Sequence, residues 1–80
     1  MEKLIEELNK KLDNNFTFLK IYDVEYVATA KICTFTLMYP ETVSGISNED
    51  RVKIYNFIKD YLNLNGKLYL KFKKSYLDNE

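Results

Sequence analysis

Leu4, Ile5, Leu8 and Leu12 recur at intervals of three and four residues, which is the spacing of one face of an α-helix. Glu6–Lys10 and Glu7–Lys11 add favourable pairs one turn apart, Glu2 sits near the positive end of the helix dipole, and Lys10 and Lys11 sit near its negative end. The pattern predicts a first helix over residues 2–13, stopped by the turn-forming run Asp13-Asn14-Asn15. From Phe16 the chain changes to β-branched and aromatic residues, and two strands fit between Phe18 and Tyr39 with a break at Ala28-Thr29-Ala30. In the second strand Cys33, Phe35, Leu37 and Tyr39 alternate with Ile32, Thr34, Thr36 and Met38. In the first, simple alternation puts Tyr22, Val24 and Tyr26 on one face and Asp23 and Glu25 on the other. The turn between them lacks an Asn-Gly or Asp-Gly pair, so a hairpin is expected without a fixed register.

Pro40 ends the second strand and Glu41 to Ile46 form a connecting loop. Ser47 is placed to cap a second helix, with Glu49 and Asp50 in its first turn. Val52, Tyr55, Ile58, Tyr61 and Leu62 form its apolar stripe, widened by Ile54 and Phe57; Arg51, Lys53 and Lys59 fall on the solvated side. Asn63-Leu64-Asn65-Gly66 closes the helix near Leu62, with Asn65-Gly66 suited to left-handed backbone angles. A third strand follows over Lys67–Tyr76, with Leu68, Leu70 and Phe72 on one face and Lys67, Tyr69, Lys71 and Lys73 on the other, before a polar tail from Leu77 to Glu80. The result is an α+β fold in the order α-β-β-α-β: a three-stranded sheet with both helices on one face, in a single domain of 80 residues.

Composition narrows the function. The chain has no histidine, which removes the commonest general base and most zinc sites. Its one cysteine, Cys33, is flanked by Ile32, Thr34 and Phe35 and reads as a small buried hydrophobe; with one thiol there is no internal disulfide. The two glycines, Gly45 and Gly66, are too far apart to form a phosphate-cradling loop. No catalytic constellation, cofactor site or metal site is expected. No apolar run approaches the ~18 residues of a membrane span, and a lone cysteine with no signal peptide points to the cytoplasm.

The twelve acidic and twelve basic residues cancel overall but are unevenly spread. Met1–Asp50 holds five bases and nine acids (−4), Arg51–Tyr76 holds seven bases and one acid (+6), and the last four residues add −2. Within the basic part, Lys67, Tyr69, Lys71 and Lys73 have the composition of a strand that tracks a phosphate backbone while its tyrosine stacks on a base. The same stripe is also what a solvated face, or an edge strand guarded by lysine against aggregation, looks like. Tyr22, Tyr26, Thr34, Thr36 and Met38 form a second candidate surface, an adhesive mix of aromatic and β-branched residues suited to docking a partner protein or a second copy.

The stretch from Val24 to Leu37, VEYVATAKICTFTL, resembles the opening segment of bacterial PolC-type DNA polymerase III alpha subunits. Lys31 matches the family's turn lysine, and Phe35 and Leu37 match its alternating strand; the helix Asp50–Leu62 and the strand Lys67–Tyr76 follow in the family's order. The resemblance covers Leu19 to Tyr76 and carries no catalytic motif. It implies a type II KH-like, non-catalytic amino-terminal module cut from a longer polymerase chain, the final Leu77-Asp78-Asn79-Glu80 being the cut point. The implied role is accessory and protein-interacting in DNA replication, the partner being a replisome protein or the rest of the same chain. The Gly-x-x-Gly loop of nucleic-acid-binding KH domains is missing, which favours protein docking over binding in the usual KH groove. The alternatives are a small module for single-stranded nucleic acid and a freestanding, dimerising α+β protein.

Overall fold

The first helix, α1 (Glu2–Lys11), buries Leu4 and Leu8 and packs Ile5 and Leu12 against the same core. It stops two residues before the expected end because Asp13 and Asn14 both take left-handed backbone angles, φ 60° and 59°. Asn14 N–H then donates back to the Asn9 carbonyl at 2.7 Å, and Asn15 N–H to that of Leu12 at 3.3 Å. The computed structural model describes residues 2–75, so of the expected third strand only Tyr76, together with the polar tail, lies outside the described part.

Two strands follow, β1 (Lys20–Val27) and β2 (Ile32–Tyr39), paired antiparallel through the turn Ala28–Lys31. Lys31 N–H donates to the Ala28 carbonyl at 3.3 Å, and Lys31 takes φ 55° to re-enter the ladder at Ile32. Val24 lies opposite Phe35 and Tyr26 opposite Cys33, but the register slips between Ile21 and Asp23, so that Tyr22 is the extra residue of a β-bulge.

The chain then crosses through α2 (Asn48–Leu62) to β3 (Lys67–Lys74), which pairs parallel with β2 from Ile32↔Lys67 to Tyr39↔Lys74 without a slip. The sheet order is β1-β2-β3, with β2 in the middle. At the start of α2 the Ser47 hydroxyl accepts from Asp50 N–H at 3.1 Å, as the sequence predicted. At its end the left-handed residue is Asn63 (φ 50°), not Asn65-Gly66. Asn63 N–H bonds to Asp60 carbonyl and Leu64 N–H to Lys59 carbonyl, the paired closure of a Schellman motif.

Gly66 has another task. A Cβ built there would overlap the Lys31 carbonyl oxygen and come within 2.9 Å of the Lys31 Cβ. The bare backbone lets Lys67 N–H reach that same carbonyl at 2.9 Å, which starts the parallel ladder.

One buried cluster joins the layers: Leu4 and Leu8 of α1, Ile54 and Ile58 of α2, Cys33, Phe35 and Leu37 of β2 and Leu68 of β3, with Phe16, Leu19 and Ile46 from the connections. Both helices therefore cover one face of the sheet, and the α+β fold expected from the sequence is the fold observed. The stripe of α2 is rotated from the expected one. Ile54 and Ile58 are its fully buried centre, Tyr55, Phe57 and Leu62 flank it, and Val52 and Tyr61 are exposed. The β-sheet lies against the Ile54/Ile58 line, and the spacing alone did not distinguish that line from its neighbour.

Arg51 is not simply a solubilising residue. Its Nε donates to the Ile46 carbonyl at 3.1 Å, and its guanidinium carbon lies 4.7 Å from the centroid of Phe72, tying the β2–α2 loop to β3.

Candidate functional site

The face of the sheet turned away from the helices carries the candidate residues. In antiparallel pairs, residues directly opposite share a face, and in each strand the side alternates. Since Cys33, Phe35 and Leu37 point into the core, Ile32, Thr34, Thr36 and Met38 point to the open side, half-buried. On β3, Lys67, Tyr69, Lys71 and Lys73 are exposed beside them, each level with a β2 residue: Ile32, Thr34, Thr36 and Met38 in turn. On β1 the same side presents Lys20 beside Met38, Asp23 beside Thr36, Glu25 beside Thr34 and Val27 beside Ile32.

The bulge decides where the β1 tyrosines go. Lys73 Nζ lies 4.0 Å from the centroid of the Tyr22 ring, so Tyr22 is on the open side with Asp23. Tyr26 is opposite Cys33 and hence on the helix side, where the helices do not reach it. Of the predicted docking set, the structure brings together Tyr22, Thr34, Thr36 and Met38 and sets Tyr26 apart. The predicted basic stripe Lys67, Tyr69, Lys71 and Lys73 joins that same face. What looked like two candidate surfaces is one surface, less Tyr26.

Its chemistry is mixed. A central strip of threonine, isoleucine and methionine runs between a lysine-rich strand on one side and a strand bearing Asp23 and Glu25 on the other. Four lysines face two carboxylates, so the surface is modestly positive and divided across its width. A polyanion would meet the two carboxylates on β1 as repulsive groups.

Elsewhere the molecule offers shallow, open grooves. One, of about 420 Å³, lies between the end of α1 and α2 and is lined in part by Leu12, Lys53, Phe57 and Tyr61, whose two rings stack at 5.6 Å. Among the described residues no group of three or more Cys, Asp or Glu side chains comes together where a metal ion could be held. Burial pushes the Cys33 thiol above its usual range, which keeps it protonated and unreactive at neutral pH.

One functional residue of the fold was missed by sequence reasoning. Asn9, a polar residue outside the apolar set Leu4, Ile5, Leu8 and Leu12, is buried; its Nδ2 donates to Ile5 carbonyl at 3.0 Å and its Oδ1 accepts from Phe16 N–H at 2.7 Å. Its position one turn after Ile5, beside Leu8, was the available signal.

Among the described residues no helix is long and apolar enough to cross a membrane. No family model, no curated protein and no solved structure matches the chain.

Proposed function

We propose that this domain is a non-catalytic module that docks a partner protein through the open face of its sheet. One observation carries the reading: among the described residues the face opposite both helices is uncovered, and its half-buried strip Ile32, Thr34, Thr36 and Met38 is flanked by exposed Tyr22 and Tyr69 with opposite charges along the two outer strands. An apolar and hydroxylic centre, aromatic anchors and a charged rim are the components of a protein interface. The role agrees with the resemblance of Val24–Leu37 to the opening of PolC-type polymerase alpha subunits. On that resemblance the partner is a replisome protein or another part of the same polymerase chain, in the cytoplasm, and the module itself does no chemistry.

The competing reading is a binder of single-stranded nucleic acid, favoured by the alignment of Lys67, Tyr69, Lys71 and Lys73 on one face. Titration of a fluorescent single-stranded DNA at two salt concentrations separates them. The docking reading expects only weak binding that fades with salt and responds little to Tyr69→Ala. Tight binding that is lost in both Tyr69→Ala and Lys71→Ala overturns it.

A further inference from the structure

Four of the seven exposed large apolar side chains among the described residues lie on one strand, β1: Tyr22 (54% exposed), Val24 (36%), Tyr26 (57%) and Val27 (44%). They divide between the two sides of the sheet. Tyr22 and Val27 are on the open side, Val24 and Tyr26 on the helix side. A partner resting on the open face would cover only the first pair. A strand added to the edge of β1 gives side chains of both sides new neighbours, Tyr22 and Val24 among them, because it extends both faces together.

The two edges of the sheet are guarded differently. β3 carries Lys67, Lys71, Lys73 and Lys74, the lysine-rich form that resists strand addition. β1 carries one lysine, Lys20, with the carboxylates Asp23 and Glu25. Its other guard is the bulge at Tyr22, which breaks the even side-to-side alternation that a regular added strand needs.

A second copy of this chain carries the same break. We propose that two copies pair antiparallel along β1, about a two-fold axis between Tyr22 and Asp23, to form one continuous six-stranded sheet. In that register Lys20 lies opposite Glu25 of the other copy, Ile21 opposite Val24, and Tyr22 opposite Asp23. Each pair shares a side: Lys20, Tyr22, Asp23 and Glu25 are on the open side, Ile21 and Val24 on the helix side. Without the bulge, Lys20 and Glu25 would be five regular residues apart, hence on opposite sides, and could not meet in this way. The bulge thus disfavours an arbitrary strand and matches its own copy, while two lysine–glutamate pairs fix the register. The isologous contact closes after two copies and leaves the lysine-guarded β3 edges outermost.

This edge borders the open-face docking surface and shares Tyr22 and the β1 charges with it, but its test reads a different quantity. Sedimentation equilibrium of the 80-residue chain from about 5 to about 500 μM is expected to show self-association to twice the 9.5 kDa monomer mass. Lys20→Glu and Glu25→Lys are each expected to weaken it roughly tenfold by setting like charges opposite one another, and the double exchange to restore it. Both positions are exposed, and circular dichroism of the dilute variants verifies the fold. A wild-type monomer throughout the range, or a double exchange as weak as the single variants, overturns the proposal. So does a dimer indifferent to these exchanges but broken by Thr34→Arg, since that places the contact on the open face. None of these results bears on the DNA titration.

Discussion

Lys73 and Tyr22 meet across the full width of the sheet: the lysine ammonium on β3 lies 4.0 Å from the ring centroid of a tyrosine on β1, with β2 between them. The bridge passes over β2 at the level of Thr36 and Met38, the residues paired with Lys71 and Lys73. It accounts for a half-buried methionine on a face that neither helix covers. An exposed cation–π contact of this kind is worth about 0.5–1 kcal/mol. Lys73→Ala and Tyr22→Ala are each expected to lower stability by about that much, and the double variant by less than the sum. Urea denaturation of all four proteins in a double-mutant cycle measures the coupling; fully additive losses exclude the bridge.

Asn9 holds the chain between α1 and β1. Its side-chain oxygen is the acceptor for Phe16 N–H, and Phe16 is itself in the core, with its ring edge-on to Phe18 at 6.2 Å. Asn9→Ala removes both side-chain bonds and leaves the Phe16 amide buried without a partner, an expected loss of about 1–3 kcal/mol. Exposed Lys10→Ala, one position on, is expected to change stability by less than about 0.5 kcal/mol, since its contact with Glu7 at 3.5 Å is a surface pair. Equal effects in the two variants contradict the assignment.

These residues also mark the limit of what the sequence discloses. The strands of β2 and β3 were legible because each alternates without interruption, and burial of one set of side chains fixes the direction of the other. β1 was not, because a bulge inserts one residue without any compositional mark, and every side assigned beyond it inverts; Tyr26 changed faces for that reason. The stripe of α2 was misplaced by one position because apolar residues occur on most of its circumference, leaving the choice to the sheet it packs on. The burial of Asn9 and the bond from exposed Arg51 to the Ile46 carbonyl were not legible, because both rest on backbone carbonyls and amides, which no side-chain pattern records.

The contact between Lys31 and Gly66 yields a pair of opposite expectations. Gly66→Ala places a methyl group against the Lys31 carbonyl, at the point where β3 begins, so the ladder must shift. A loss of about 1–3 kcal/mol is expected, by overpacking against backbone. Lys31 itself takes φ 55°, a conformation costing a non-glycine residue about 1 kcal/mol. Lys31→Gly is therefore expected to be neutral or stabilising by up to about 1 kcal/mol, the relief offset by the added freedom of the unfolded chain. Thermal midpoints decide it: about 4–8 °C accompanies each kcal/mol in a domain of this size.

Cys33 gives the fold a dependence on alkaline pH. Its thiol is buried in the β2 row of the core, and desolvation raises its pKa in the folded state. In the unfolded chain the thiol ionises near about 8.5. Below that pH both states hold the proton, and the contribution to stability is fully present. Above it the unfolded state gives up its proton while the folded state keeps it, so stability falls with a limiting slope of about 1.4 kcal/mol per pH unit until the raised folded pKa is reached. Cys33→Ala removes this slope at the cost of a small cavity, so its deficit relative to the wild type is expected to shrink as pH rises from 8 to about 10. Every other side chain is common to both proteins, and the difference between the two curves isolates the thiol. Urea midpoints taken at half-unit steps test the point: a deficit constant with pH shows that Cys33 does not titrate differently in the two states.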